Sequence, residues 1–245
     1  MHRAGLVVWN VLEELRQMVR PGMTTMELDQ HAERRVAELG ARPAFKGYRG
    51  YPAVLCTSIN EEVVHGIPSP KRVLKEGDIL SLDFGAEVDG YFGDAAVTVP
   101  VGRISAELER LLRTTRESLD RAIDQCRPGN RLGDISHAVQ SWAERHGYSV
   151  VRELVGHGIG TRMHEDLQLP NYGEPGRGPR LREGMTLAIE PMVNSGGPGI
   201  RVLDDEWTAV SADGSYSAHF EHTVAVTAEG PWILTRPREV EGPSW

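Results

Sequence analysis

Four carboxylates and one histidine lie in or beside apolar, strand-like segments of the chain: Asp83, Asp94, His157, Glu190 and Glu221. Carboxylates gathered in an apolar setting repel one another and resist ionisation. Bound divalent cations reverse that cost, because an ion is often the largest local charge in a site. The set therefore indicates an oxygen-rich metal site, which suits Mn²⁺, Fe²⁺, Co²⁺ or Zn²⁺ better than a thiolate site would. Two such ions about 3.5–4 Å apart can activate a shared water near neutral pH.

Asp83 and Asp94 flank an Asp-Gly dipeptide at 89–90, which is a strong signal for a hairpin turn. A two-residue loop at 88–89 would place the two acids directly opposite each other, and a loop at 89–90 would place them one diagonal apart on the same face. A three-residue loop without a bulge would separate them onto opposite faces. A shared metal site therefore predicts an even-length loop or a bulge, whereas either acid alone is more simply explained as an exposed strand residue.

Hydrophobic periodicity and turn residues predict the elements that must position these side chains. The predicted helices are 3–19, 26–39, 105–126 and 132–146, and the predicted strands are 53–59, 78–99, 148–155, 185–193, 207–211 and 217–227. No linker divides the chain, so we expect one α+β domain over residues 1–245, with a loose tail at 236–245.

The chain also repeats itself faintly. At an offset of 107 residues, Arg20-Pro21-Gly22 recurs as Arg127-Pro128-Gly129, and KEGDILSLD (75–83) recurs as REGMTLAIE (182–190). The second match aligns Asp83 with Glu190, which predicts two pseudo-symmetric halves, about 1–104 and 105–235, around a curved antiparallel sheet. Chance similarity of common turn signals is the alternative.

Composition narrows the class of protein. The 245 residues carry a net charge of −8, which argues against a duplex nucleic acid as partner. No apolar stretch reaches the roughly 18 residues of a membrane span. The chain has two cysteines and no CxxC spacing, so we expect a reducing, cytoplasmic setting rather than a disulfide framework.

Six motifs in order resemble the type I methionine aminopeptidases of the pita-bread (creatinase/aminopeptidase) fold, peptidase family M24. They are GYRGYPAVLCTSINEEVVHGIP (47–68), GDILSLDFGAEVDGYFGD (77–94), GHGIG (156–160), MHED (163–166), AIEPM (188–192) and FEHTVAV (220–226). The resemblance implies metal-dependent removal of the initiator methionine from nascent proteins and peptides, by attack of a hydroxide activated by two metal ions, with preference for a small second residue.

The resemblance also implies roles for individual residues. The metal ligands match Asp83, Asp94, His157, Glu190 and Glu221, and the catalytic residues match His65, His164 and Glu190. The pocket for the methionine side chain matches Phe45, Tyr48, Tyr51, Cys56, His65, Met163, His164 and Trp207. Phe45 and Met163 depart from the usual cysteine and phenylalanine, so the shape of the pocket stays open.

Further implications concern ligands and partners. The cofactors would be two divalent ions (Co, Mn, Fe or Zn), and a monovalent cation would bind near Asn60 and Ser217. The expected partners are peptides and nascent chains with N-terminal methionine, together with a transient contact to the ribosome. Neither DNA nor membrane is expected as a partner, and the expected state is a monomer.

Three alternatives stay open. An X-Pro peptidase would use the same metal site, but such enzymes generally carry a large additional N-terminal domain. A non-catalytic pita-bread module would be expected to have lost ligands, yet all five ligand positions and both histidines are filled. A two-metal phosphoesterase would need more histidines and phosphate-binding elements.

Overall fold

The computed structural model describes residues 1–240, 242–243 and 245. Within them, the helices are α1 (His2–Met18), α2 (Thr25–Glu38), α3 (Ala106–Asp124) and α4 (Leu132–Arg145), with a short 3-10 turn at Tyr48–Gly50. The strands are β1 (Arg42–Pro43), β2 (Cys56–Ile59), β3 (Glu62–Val64), β4 (Ile79–Val88), β5 (Tyr91–Pro100), β6 (Ser149–Val150), β7 (Val155–Gly158), β8 (Glu165–Pro170), β9 (Thr186–Ile189), β10 (Met192–Asn194), β11 (Ile200–Val202), β12 (Ala209–Ser211), β13 (Ser217–His219), β14 (Glu221–Thr227) and β15 (Gly230–Ile233).

The second helix begins at a capping box. The Glu27 amide donates to the Thr24 hydroxyl at 3.3 Å, and the Thr24 amide donates to the Glu27 carboxylate at 2.7 Å, so the helix N-terminus satisfies its own donors. Both ends of α2 recur 107 residues later as the ends of α4. Two isolated bridges, Thr24 with Val73 and Arg131 with Arg180, are displaced by the same offset. These bounds support the predicted pair of halves.

The main sheet is antiparallel and runs in the order β1-β4-β5-β14-β9-β7-β8, with β2 also paired to β4 and β15 also paired to β14. Helix α1 packs on β4 and β5. It lies close to the sheet because Gly5 and Gly93 meet there, and a Cβ built on Gly93 would lie only 2.8 Å from the Gly5 nitrogen. Buried aliphatic residues of α1 and β4 then form the main apolar core with Phe84.

Three strands predicted as continuous are interrupted. The segment 185–193 breaks after Ile189, because Pro191 has no amide hydrogen to donate to a ladder. The segment 217–227 breaks at Phe220, where the chain passes from the strand pair β13–β10 into the main sheet. The segment 148–155 breaks between β6 and β7.

Several elements differ from expectation in other ways. Strand 78–99 is the β4–β5 hairpin, and the short strands β1, β3, β8, β11 and β15 were not predicted. Of the predicted tail 236–245, residues 241 and 244 lie outside the described part of the chain. Trp245 packs against α1 and β14 rather than lying loose.

Candidate metal centre and catalytic cleft

A hairpin brings the first two acids together. Strands β4 and β5 are joined by Asp89 and Gly90, whose φ angles are +52° and +81°, as a tight two-residue turn requires. In the resulting register Asp94 lies opposite Gly85, and Asp83 lies opposite Ala96. The two carboxylates are thus one diagonal apart on the same face, which is one of the two arrangements that a shared site predicts.

The neighbouring strands place further polar residues beside this acid pair through cross-strand pairing. Glu221 of β14 pairs with Ala96 from the other side, so Ala96 separates Asp83 from Glu221. Ala188 of β9 pairs with both His157 of β7 and Thr223 of β14. Because the residues between the acids are small, the polar side chains converge over an open space rather than over a filled core.

His157 is oriented for coordination. Its Nδ1 lies 2.9 Å from the Gly158 carbonyl oxygen, so Nδ1 donates there and Nε2 presents its lone pair to the acids. Nε2 lies 3.9 Å from Asp94 Oδ2 and 3.7 Å from Glu190 Oε1. Asp94, His157 and Glu221 each offer a ligand atom within 4.8 Å of the other two.

The carboxylates fit a bound cation. Asp83 Oδ1, Asp94 Oδ1 and Glu221 Oε1 are buried and have no hydrogen-bond partner among the described residues. Buried polar atoms ordinarily have partners, so these oxygens indicate a ligand that the protein atoms do not supply. Four acids with one imidazole are the donor set that hard or borderline divalent ions prefer.

Burial controls the protonation of this cluster. Desolvation raises the pKa of Asp83, and the charge of Asp94 raises it further. It raises the pKa of Asp94 to about 7, although the amide of Ala95 opposes the shift. Burial also raises the pKa values of Glu190 and Glu221, with added repulsion from the neighbouring acids. Without cations, the site therefore favours protonated carboxyl groups near neutral pH.

The two predicted catalytic histidines lie beside the acids. The ring of His164 is 4.2 Å from the ring of His157, and its Nδ1 is 2.9 Å from the Tyr48 hydroxyl. Desolvation, followed by the neighbouring His157, lowers the pKa of His164 to about 4, so this ring is neutral. His65 has a φ of +62°, and burial lowers its pKa. A non-glycine residue with this backbone conformation is uncommon, and such residues cluster at functional sites.

The cleft is a cavity of about 140 Å³ with the acids on its floor. Its lining comprises Phe45, Tyr48, Arg49, Tyr51, Cys56, His65, Asp83, Asp94, His157, His164, Glu190, Trp207 and Glu221. Met163, predicted for the pocket, lies behind this lining and is buried in the same apolar cluster as Phe45. Both side chains rest over Gly85, where a built Cβ would lie 2.8 Å from Phe45 Cε1 and 3.1 Å from Met163 Cε.

Cys56 is an unreactive wall residue. It pairs with Asp83 across β2 and β4 and is 4% exposed. Burial raises the pKa of its thiol well above the usual value, and the nearby Asp83 raises it further. A neutral, buried thiol contributes packing rather than nucleophilic chemistry.

Sequence reasoning missed two residues of the site. His219 is buried, with Nε2 3.8 Å from Glu190 Oε2 and 4.0 Å from Glu221 Oε2, and neither of its ring nitrogens has a hydrogen-bond partner among the described residues. Its position two residues before Glu221 was the available signal, since alternate residues of an extended chain share a side. Arg49 lines the cavity beside Tyr48. The only sequence signal for Arg49 was its place between Gly47 and Gly50 of the first motif.

Known proteins resemble this chain along nearly its whole length. The profile of metallopeptidase family M24 matches residues 1–228. "Methionine aminopeptidase 1" of Bacillus subtilis is 53% identical over 236 residues, covering 96% of this chain and 95% of the relative. "Methionine aminopeptidase 1" of Mycobacterium tuberculosis is 50% identical over 241 residues, covering 96% and 91%.

Solved structures give the same result. A methionine aminopeptidase from Thermotoga maritima superimposes with a TM-score of 0.95 at 50% identity, covering 97% of this chain and 95% of that one. A prolidase from Pyrococcus furiosus reaches 0.76 at 22% identity, covering 98% and 63%, which shows a shared fold alone. The predicted pita-bread fold and the resemblance to methionine aminopeptidases are thereby confirmed, and the chain belongs to metallopeptidase family M24.

Proposed function

We propose that this protein is a methionyl aminopeptidase, a metalloexopeptidase that removes the initiator methionine from nascent proteins and peptides. The observation that carries the proposal is the convergence of four carboxylates and His157 on the floor of one cleft. Asp83, Asp94, Glu221 and His157 are buried there, and Glu190 is half-buried. The cleft walls are aromatic and sulfur-bearing, which suits a thioether side chain. The names of the M24 relatives support the same substrate.

Asp83, Asp94, His157, Glu190 and Glu221 would hold two divalent cations, which supply Lewis-acid polarisation and lower the pKa of a water molecule. Glu190 accepts the proton of the attacking water on a carboxylate oxygen and passes it to the leaving amine. Desolvation and the charges of Asp94 and Asp83 raise the pKa of Glu190, which makes its carboxylate a stronger proton acceptor.

The histidines act on the peptide itself. His164 is neutral, and if its Nδ1 accepts from the Tyr48 hydroxyl, its Nε2–H is the donor toward the scissile amide. His65 stands near Trp207 at the cleft wall, with ring centroids 6.2 Å apart, where it would contact the N-terminal part of the substrate. Phe45, Tyr51 and Cys56 would enclose the methionine side chain.

The X-Pro peptidase alternative is weaker. The structures with those activities match at only 22–23% identity, and this chain covers 60–63% of their length. The non-catalytic alternative would leave the buried unpaired oxygens of Asp83, Asp94 and Glu221 without a purpose.

Other expectations remain predictions: the identity of the ions, a small second residue, ribosome contact, a monomeric state and a cytoplasmic location. The predicted monovalent-cation region brings together Asn60 and Ser217, whose amide donates to the Asn60 carbonyl at 2.8 Å. Among the described residues, no helix has the length and hydropathy needed to cross a membrane.

The decisive experiment measures methionine release from Met-Ala-Ser by protein that has been stripped with a chelator. Activity should vanish on chelation and return on adding Mn²⁺, Fe²⁺, Co²⁺ or Zn²⁺ singly. Ala-Pro serves as the comparison substrate. Faster cleavage of Ala-Pro, or full activity in the stripped protein, would refute the assignment.

A further inference from the structure

Trp245 is held between two aromatic rings. Its indole stacks on His222 with centroids 4.7 Å apart and an interplanar angle of 9°, and on Trp9 of α1 at 4.9 Å and 15°. The guanidinium of Arg116 also reaches its main-chain oxygen at 3.5 Å. Stacked aromatic pairs contribute beyond their buried area, so the indole is fixed in place and direction.

The same indole donates a hydrogen bond to a residue of the metal centre. Trp245 Nε1 lies 3.2 Å from the main-chain oxygen of Glu221. The Glu221 side chain projects into the cleft, where Oε1 is buried without a partner among the described residues. One residue is therefore fixed through its backbone by Trp245 and presents its carboxylate to the cleft.

Glu221 occupies a place where the sheet gives its backbone little support. It is the first residue of β14, directly after the break at Phe220. The β5 partner pairs with β14 only at Glu221 and His222, and β15 takes over that pairing from Val224. Because the neighbouring strand changes here, an additional donor has more influence on the backbone than it would have in the middle of a ladder.

We propose that Trp245 is a positioning residue for the metal centre: its indole N–H sets the backbone of Glu221 so that the carboxylate faces Asp94 and His157. Trp245 itself touches neither substrate nor ion. The inference rests on the proposed function only in that Glu221 is taken to bind a cation.

The test compares variants of the full chain by calorimetric titration with Co²⁺ alone. Trp245→Ala removes the stack and the donor, whereas Trp245→Phe keeps a ring and removes the donor. Both should weaken Co²⁺ binding, the alanine variant by roughly 10-fold, the lower end of what partners of metal ligands contribute. Trp142→Ala is the matched control, because that indole also donates a hydrogen bond, to Glu117 at 3.1 Å, and stacks under Arg121 on α3, away from β14.

The outcomes are separable. If the unaltered protein takes up no Co²⁺, the proposed metal centre fails. If it binds Co²⁺ and Trp245→Phe binds equally tightly, the positioning role of the indole N–H is refuted. Thermal unfolding of the metal-free forms shows whether a variant is folded. Should Trp245→Ala not fold, Trp245→Phe decides the matter by itself: unchanged Co²⁺ affinity in that variant would overturn the proposal.

Discussion

The two predicted halves of the chain supply the proposed metal ligands in different ways. In the first half, Asp83 and Asp94 lie on one hairpin whose strands pair at ten consecutive positions. In the second half, His157, Glu190 and Glu221 come from three separate segments. One half therefore offers a pair of carboxylates fixed by local structure, and the other offers ligands that only the complete fold brings together.

The proposed ligands of the second half all lie at strand ends or next to a register shift. His157 adjoins a register shift between β7 and β8, Glu190 follows the last residue of β9, and Glu221 begins β14. Strand ends allow a side chain more freedom than the middle of a paired hairpin does. We infer that the hairpin acts as the fixed side of the site, and that proton transfer falls to the side with greater freedom, at Glu190.

The largest expected effect comes from Glu190→Gln. Losing the carboxylate that transfers the proton should lower kcat by about 10²- to 10⁴-fold, the range for general acid–base groups. Methionine release from Met-Ala-Ser under saturating Mn²⁺ measures it. Glu183→Gln is the control, since that exposed glutamate lies in the same segment. Comparable loss in both variants would mean that the effect is not catalytic.

A pair of glycine substitutions tests the contrast between the halves directly. In Gly156→Ala, the added methyl group would lie 2.5 Å from the Ala188 carbonyl oxygen, a backbone atom, so β7 and β9 must separate. In Gly85→Ala it would meet only side-chain atoms, the Ala44 Cβ at 3.1 Å and the ends of Phe45 and Met163, rather than backbone. Gly156→Ala should lose about 1–3 kcal/mol of stability and weaken metal binding.

Gly85→Ala should instead raise KM for methionine peptides while cation affinity stays close to that of the unaltered protein. Chemical denaturation, Co²⁺ calorimetry and steady-state kinetics on both variants provide the comparison. A greater loss of cation affinity in Gly85→Ala than in Gly156→Ala would contradict the inference that the β4–β5 hairpin is the fixed side of the site.

The same contrast explains what could be predicted from the sequence. The Asp-Gly turn at 89–90 restricted the β4–β5 register to few options, and the capping residues Thr24 and Glu27 marked the start of α2. Local signals of this kind act within a few residues. The motifs of the resemblance supplied the second-half ligands, because no local rule links His157 to Glu221.

What the sequence did not reveal depends on tertiary packing. His219 enters the site because β13 pairs with β10, and no hydrophobic pattern encodes that pairing. Met163 lies behind Phe45 rather than on the cavity wall, a difference of one layer that spacing cannot resolve. The break after Ile189 was readable, since Pro191 cannot continue a ladder, yet the apolar run on both sides concealed it.

The acid cluster predicts an unusual pH dependence of the metal-free protein. The folded-state pKa of Asp94 is raised from 3.8 to about 7, so the folded state binds more protons than the unfolded state between these values. Stability is therefore greatest at low pH with respect to this group and is lost as the pH rises from about 4 to 7. Cations should abolish the loss, because they favour the ionised acids.

Thermal unfolding between pH 4 and 8, in chelator and in Mn²⁺, measures this effect. Asp94→Asn is the informative variant, since an amide does not titrate and the loss of stability with rising pH should be smaller in the metal-free variant than in the unaltered protein. The histidines whose pKa values are lowered act in the opposite direction, so the difference between the two profiles is the measure for Asp94. The same pH dependence in Asp94→Asn and in the unaltered metal-free protein would contradict the raised pKa of Asp94.

The smallest expected effect concerns the hydroxyl group that orients His164. Tyr48→Phe removes the partner of His164 Nδ1 and leaves the ring stack, whose centroids are 5.1 Å apart. A typical hydrogen bond contributes about 0.5–1.5 kcal/mol, so kcat should fall roughly 2- to 10-fold. Tyr172→Phe, at an exposed tyrosine outside the cleft lining, is the control. Because Tyr48 belongs to the first half and His164 to the second, unchanged kcat in Tyr48→Phe would indicate that the second half orients its own catalytic histidine without help from the first.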